Sequence, residues 1–422
     1  MSTRLDDVAP FLACSWDVLW FIPVARRGYY AVEQETAFGW GWIWVMRVGG
    51  KLLGWLSGTK PLQGQVEIHH VVTAGVICSW TAGILAGLVL YLLTLRLTAS
   101  RQFAKLTWML YILSPSPGPS ISPYTEPMYA LLSFSGMLLL APSHASLAMQ
   151  RAAVDSIRWK EAVKGLVAVG CFAGATAVRP LGVMNVGYLG WELIVRPLYI
   201  QPVTWRKRFL LACLFALSAP AVFAPFVFSQ IQLYQQFCLD VPSLNLTPEW
   251  CARRMPVVYT YVQEKYWNVG FLRYFTLPQI PNFLLSAPIY ILLVYTHFSS
   301  LPSLVLPIPF MPRSVFLALN RPSSIIQERW IMPYVIHSIV WSAILFFTSH
   351  VQIILRLAQT NPVVWWGAAA LVSGRQRSIG RRDRNQDGKD FEMGMGGRVY
   401  LGWLVFWIPV SIVLWAGFYP PA

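Results

Sequence analysis

The sequence predicts an all-α, polytopic integral membrane protein, and three observations carry that prediction. Of the 422 residues, 56% are hydrophobic and only 12% are charged, whereas soluble domains carry about 25% charged residues. Mean hydropathy is +0.50. Apolar runs recur at 71–95, 103–122, 127–141, 163–178, 181–195, 209–230, 283–298, 331–347, 362–372 and 399–418. Together these give about ten transmembrane helices. Several are shorter than the roughly 20 residues that cross a hydrocarbon core, so they are expected to be tilted, re-entrant or extended by semi-polar flanks. At the N-terminus, Arg4, Asp6 and Asp7 precede no clean apolar stretch, so no signal peptide is expected in this stretch.

The basic residues set orientation. Arg96, Arg101 and Lys105 follow the first run, Arg151, Arg158, Lys160 and Lys164 the third, and Arg196, Arg206, Lys207 and Arg208 the fifth. Arg313, Arg321 and Arg329 follow the seventh, and RQRSIGRRDRNQDGK at 375–389 follows the ninth. Every second loop is therefore basic and expected on the cytosolic side. The opposite face then receives the N-terminal segment, Tyr124–Glu126, the Phe237–Ala287 block and His350–Trp366. The net charge of +15 is spent in these clusters, which suits topology and anionic headgroups, and no nucleic-acid motif is present. Residues 373–397 are rich in Gly, Arg and Asp and read as a flexible cytosolic loop. No internal repeat is visible.

Of six cysteines, Cys14, Cys78, Cys171 and Cys213 lie in or beside apolar segments. Cys238 and Cys251 sit close together in a polar loop, either as a disulfide on an oxidising face or as two free thiols.

Candidate chemistry lies in those polar segments. Asp17, in SWDVLWF, reads equally as a helix N-cap or as a general base. Glu33 and Glu35 are acceptor-orienting or merely solvated. Arg179 lies between apolar runs in TAVRPLGV, where an arginine is costly without a partner unless it snorkels to the interface. Tyr124, Thr125 and Glu126 precede an apolar run. Thr125 suits a cap, and Glu126 either a sugar ligand or a first-turn acid. In the 237–287 block, Trp250, Tyr259, Gln263, Tyr266, Trp267, Asn268, Arg273, Tyr274 and Asn282 mix rings and amides. That mixture suits sugar recognition, while an interfacial aromatic belt accounts for the rings but not for the amides. The sequon Asn245-Leu246-Thr247 is followed by Pro248, which disfavours its use. His69 and His70 are adjacent rather than one helical turn apart, a poor metal site, and no metal constellation is expected.

The wording of the large block is distinctive: WC, then P-x-x-Y-x-Y-V-Q, then YWNVGFLRY, then QIPNFLLSAP. It resembles the GPI mannosyltransferase 2 family, which adds the second mannose to the glycosylphosphatidylinositol precursor in the endoplasmic reticulum. The likeness runs from about Ser15 to the C-terminus and includes Trp16, Asp17, Phe21, Ala25, Gly28, Tyr29, Glu33, Ala37 and Phe38 of the first loop. It also covers Tyr124-Thr125-Glu126, with Pro127 departing from the pattern, and His350, Val351, Gln352 and Arg356 near the last lumenal loop.

The resemblance implies a GT-C glycosyltransferase fold whose lumenal loops form the active site. It sets a first lumenal loop at 15–60, a large lumenal loop at 231–282 and a basic cytosolic loop at 373–398. It implies transfer from dolichyl-phosphate-mannose to a GPI lipid precursor at the ER membrane, inverting a β-linked donor to an α-product, with Asp17 as base. The implied substrate-binding set is Glu33, Tyr124, Glu126, Arg179, Trp250, Tyr259, Gln263, Tyr266, Trp267, Asn268, Arg273, Asn282, His350 and Gln352. No cofactor is implied beyond the donor itself, and a small accessory membrane subunit is an expected partner. Relatives carry a transmembrane helix before the first lumenal loop. This sequence has no such run, from which a start codon upstream of Met1 is expected. The competing readings are a multi-pass transporter or lipid scramblase, and an inactive truncated copy. A transporter would place its charges within spans and show repeats, whereas the charges here gather in loops on one face.

Overall fold

The computed structural model describes residues 17–59, 64–142, 159–200, 203–240, 247–300, 330–374 and 393–417. The expected preceding helix, Asn245 of the sequon, most of the 373–398 loop, and Arg151, Arg158, Arg313, Arg321 and Arg329 lie outside the described residues. The described residues form an all-helical bundle.

In order, its main helices are α1 (Val18–Arg27), α2 (Trp40–Leu56), α3 (Ile68–Thr98), α4 (Arg101–Ile112), α5 (Glu126–Leu140) and α6 (Trp159–Val178). They continue with α7 (Trp205–Tyr234), α8 (Val258–Trp267), α9 (Ile280–Ser300), α10 (Met332–Thr348), α11 (Pro362–Val372) and α12 (Met395–Ala416). Among these, α3, α6, α7 extended to Leu239, α9 extended back to Leu277, and α12 are long and apolar enough to cross a membrane. The chain is an integral membrane protein. Its outer faces carry side chains that lipid, not water, would cover: Ile84 on α3, Leu217 on α7 and Val405 on α12 are all exposed.

Several of the apolar runs form helices shorter than the runs themselves. Among the described residues, five helices meet the length and composition needed to span, and α5, α10 and α11 are shorter apolar helices. The run at 103–122 yields only the 12-residue α4 and a turn at Gly118–Ile121, because Pro115, Pro117 and Pro119 remove backbone donors where a helix would continue. The run at 181–195 breaks into a 3-10 turn (Pro180–Asn185), a short α-turn (Val186–Gly190) and a π-helix (Trp191–Ile200). The 15–60 segment is a loop only in topology: it folds as α1, a 3-10 turn over Glu33–Ala37, and α2.

Local chemistry explains the turns that aim the site. Gly28 ends α1 at φ 90°, a left-handed conformation that suits glycine. The side chain of Arg47 on α2 then donates to the Ala25 carbonyl at 2.9 Å. Gly182 lets the chain after Arg179 fold back onto α6. A Cβ there would sit 2.4 Å from the Thr176 backbone nitrogen, so a side chain would push the turn away. Two apolar clusters hold the bundle. The larger includes Phe134, Tyr188, Trp341, Trp365 and Trp366, and the smaller packs Phe21, Trp42, Met46 and Tyr124 beneath α1.

Candidate active site

Asp17 sits at the start of α1, but its side chain makes no capping bond. Its Oδ2 lies 2.9 Å from the guanidinium of Arg356 instead. The N-cap reading therefore describes its backbone position, while its carboxylate is committed elsewhere. Arg356 lies in a short turn, Ile353–Leu357, between α10 and α11. Its Nε is 2.8 Å from Glu126 Oε1, and the same oxygen is 2.8 Å from Arg179. Arg179 also donates to Thr125 Oγ1 at 2.7 Å, and Thr125 donates to Glu126 Oε2 at 3.1 Å. The backbone N–H of Asp17 donates to the Tyr124 hydroxyl at 3.1 Å, and Arg356 stands over the Tyr124 ring at 5.2 Å.

The cluster is charge-balanced, two carboxylates against two guanidiniums. Burial within it is graded: the Glu126 side chain is 0% exposed, Arg356 8%, Arg179 19% and Asp17 24%. Glu126 thus acts as a sealed anchor that fixes two arginines, and Asp17 and Arg179 are the groups that open outward. Burial tends to lower the Arg356 guanidinium, but the Asp17 and Glu126 carboxylates outweigh it and raise it, so it stays a fixed cation. Burial, with the negative charge of Asp17, pushes the Tyr124 phenol well up and keeps it neutral.

Arg356 was not among the residues that sequence assigns to the site, although the signal was available. It is a lone arginine in the apolar stretch IILRLA, the same costly placement that singles out Arg179.

The remaining candidates fall into two further groups. Glu33 accepts a hydrogen bond from Trp250 Nε1 at 3.1 Å and another from the Tyr266 hydroxyl, so Glu33 pins the 250–266 segment to the first loop. Glu35, by contrast, binds Arg27 at 2.6 Å. Cys238 and Cys251 are disulfide-bonded, with Cα atoms 5.7 Å apart, and close the base of this segment beside the buried Trp250.

Beyond it opens a cleft of about 430 Å³ lined by Tyr266, Trp267, Asn268, Arg273, Tyr274, Thr276, Gln279, His350 and Gln352. Tyr274 donates to Gln352 Oε1 at 2.8 Å and accepts from Asn282 at 2.8 Å, and its ring stacks on His350 with centroids 4.8 Å apart. Asn268 ends α8 in the left-handed region at φ 51°. Trp267 meets Trp20 of α1 edge-on at 6.1 Å, and Trp20 lies one helical turn after Asp17.

Two candidates stand apart. Tyr259 lines a small enclosed cavity with Gln230 and Pro180, and Gln263 contributes its backbone carbonyl to Val269. Among the described residues, Glu67, His69 and His70 bring ligand atoms within 4.8 Å of one another. The sequence reading of these histidines had not included Glu67.

Residues 10–422 match the family model described as Mannosyltransferase (PIG-V). A GPI mannosyltransferase 2 of Cryptococcus neoformans var. neoformans is 36% identical over 431 residues, covering 99% of this chain and 92% of that protein. The Homo sapiens GPI alpha-1,6-mannosyltransferase 2 is 28% identical, covering 86% of this chain and 73% of its own length. Among solved structures, the archaeal oligosaccharyltransferase AglB from Archaeoglobus fulgidus superposes with a TM-score of 0.48 at 10% identity, over 91% of this chain and 48% of that one.

Proposed function

This chain belongs to the mannosyltransferase (PIG-V) family, and on that premise we propose that it transfers the second mannose, in α-1,6 linkage, onto a GPI precursor at the lumenal face of the endoplasmic reticulum. The observation that carries the mechanism is the graded ion cluster, in which Asp17 is the outward-opening carboxylate. The donor is dolichyl-phosphate-mannose. The acceptor hydroxyl attacks the anomeric carbon, a new C–O bond forms, and the bond to the phosphate oxygen breaks with its electron pair leaving on dolichyl phosphate. Asp17 takes the hydroxyl proton as attack proceeds. Attack from the face opposite the leaving group inverts the anomeric centre.

Arg356, 2.9 Å from Asp17 Oδ2, fixes the direction of the other carboxylate oxygen. Arg179, partly exposed beside it, is placed to meet charge developing on the leaving phosphate. Glu126 is a positioning residue for both arginines. No protein acid is needed, because phosphate leaves without protonation.

The test uses microsomes lacking endogenous activity, labelled dolichyl-phosphate-mannose and a one-mannose GPI acceptor. Asp17→Asn keeps the shape and the contact to Arg356 but cannot accept the proton, so transfer is expected to fall about 10²–10⁴-fold. Transfer at the wild-type rate in well-inserted Asp17→Asn protein would remove Asp17 from the role of base.

A further inference from the structure

The open cleft beyond Trp267 is not used by the ion cluster. Its construction sets it apart from the rest of the surface. Its two walls come from distant segments, 266–279 and 350–352, clamped by backbone bonds from Gly270 N–H to the Thr348 carbonyl at 2.9 Å and from Leu272 N–H to the Phe347 carbonyl at 2.8 Å. The 266–279 wall holds two non-glycine residues in the left-handed region, Asn268 at φ 51° and Leu272 at φ 57°. Each such residue costs of order 1 kcal/mol or more, and such conformations persist where surrounding structure enforces them, often at ligand sites. The lining offers amides, hydroxyls and ring faces with few charges, the chemistry that fits sugar hydroxyls and their apolar ring faces. The single cation, Arg273, is already paired with Glu264 at 2.8 Å.

Immediately beside the cleft runs an apolar ridge. Phe271 is 72% exposed, Leu277 81% and Ile280 50%, and the ridge leads directly into the membrane-crossing helix α9. A polar cleft touching such a ridge matches an amphiphile that keeps its head out of the bilayer and its tail in it.

We propose that this cleft binds the glycan of the lipid-anchored acceptor, with the acceptor's lipid lying along Phe271, Leu277 and Ile280. The assignment rests on the mannosyl-transfer reading above. It separates the two substrates in space. The donor phosphate belongs with the guanidinium cluster around Arg179. The acceptor glycan approaches from the far side of Trp267, and the Trp20–Trp267 contact delivers its terminal sugar to Asp17. Sugar recognition by this cleft further assigns Asn268 and Gln352 as determinants of acceptor affinity.

Asn268→Gly isolates the side chain, because glycine keeps the left-handed backbone and removes only the amide. In the microsomal assay, Asn268→Gly and Gln352→Ala should each raise the acceptor KM about tenfold, equivalent to about 1.4 kcal/mol. Donor KM and kcat should stay within about twofold of wild type. Leu277→Ser should raise KM for the lipid-bearing acceptor but not for the same acceptor stripped of its lipid. An unchanged acceptor KM, or donor and acceptor KM rising together, overturns the assignment.

A binding measurement keeps the two proposals apart. Saturation-transfer NMR of purified protein with methyl α-mannoside should show contact that weakens in Asn268→Gly. If wild-type protein transfers no mannose yet shows that contact and its loss, the reaction assignment fails and the cleft stands. If transfer is intact and methyl α-mannoside makes no contact, or contacts wild type and Asn268→Gly alike, the cleft assignment fails and the reaction stands.

Discussion

The structure holds two groups of paired carboxylates and guanidiniums, and they differ in burial. Around Arg356, the pairs are buried: Glu126 is fully enclosed and Arg356 is 8% exposed. At the cleft rim, Glu264 pairs with Arg273 at 2.8 Å and Arg253 at 3.5 Å, with every side chain more than 40% exposed. The distances are similar but the energetics are not. Buried ions are held by mutual compensation, so removing one strands the others. Exposed pairs lose most of their attraction to water and salt. Equal distances therefore identify a structural keystone in one place and a solvated contact in the other.

Substitutions sharpen that contrast, and the largest effect falls inside. Glu126→Ala removes the carboxylate shared by Arg179 and Arg356, and leaves only Arg356 with a carboxylate partner, the partly exposed Asp17. It should cost about 3–5 kcal/mol of stability, read as a lowered thermal midpoint in detergent, with transfer lost in the protein that remains folded. Arg356→Lys comes next. A lysine ammonium cannot fork to Asp17 and Glu126 together, so transfer should fall about 10²-fold or more while insertion into membranes is normal. Transfer unaffected by Arg356→Lys would show that the Asp17–Arg356 contact does not orient the base.

Cys251→Ser tests the frame of the rim rather than its charges. Opening a loop of sequence separation 13 should cost about 3 kcal/mol in the chain-entropy picture. The loss should appear as protease sensitivity near residue 250 and a higher acceptor KM, with the interior cluster intact. The smallest effect belongs to Glu264→Gln, which should leave the thermal midpoint unchanged. Raising salt to about 0.5 M should be equally silent there. A large loss from Glu264→Gln would mean that the rim pair is part of a built network and not a solvated contact.

Much of this arrangement was legible in the sequence because its main constraint is the bilayer. Alternation of basic loops assigned Asp17, Tyr124–Glu126, the 237–287 block and His350–Trp366 to one face, and residues from all four segments meet in the structure. The expensive arginine at Arg179 signalled a partner, and Glu126 is that partner. What remained hidden was pairing. Nothing in local sequence distinguishes a carboxylate capping its own helix from one reaching Arg356, since both begin with Asp before an apolar turn. Span length was equally obscure. Hydropathy continues through Pro115–Pro119 although a helix cannot, and α2 (WGWIWVMRVGGKLLGWL) hides behind glycines that packing tolerates. The cleft depends on two left-handed residues, one of them Leu272, whose conformation no propensity predicts.

The Asp17–Arg356 contact also sets a clock. A ribosome that has placed Asp17 adds about 340 more residues before Arg356 emerges, which at about 5–20 residues per second takes roughly 20–70 s. Glu126 is made within that interval and is followed by its partner Arg179, but Asp17 does not gain its own guanidinium until Arg356 is made. Asp17 is therefore without its partner for most of synthesis, and the last third of the chain supplies it.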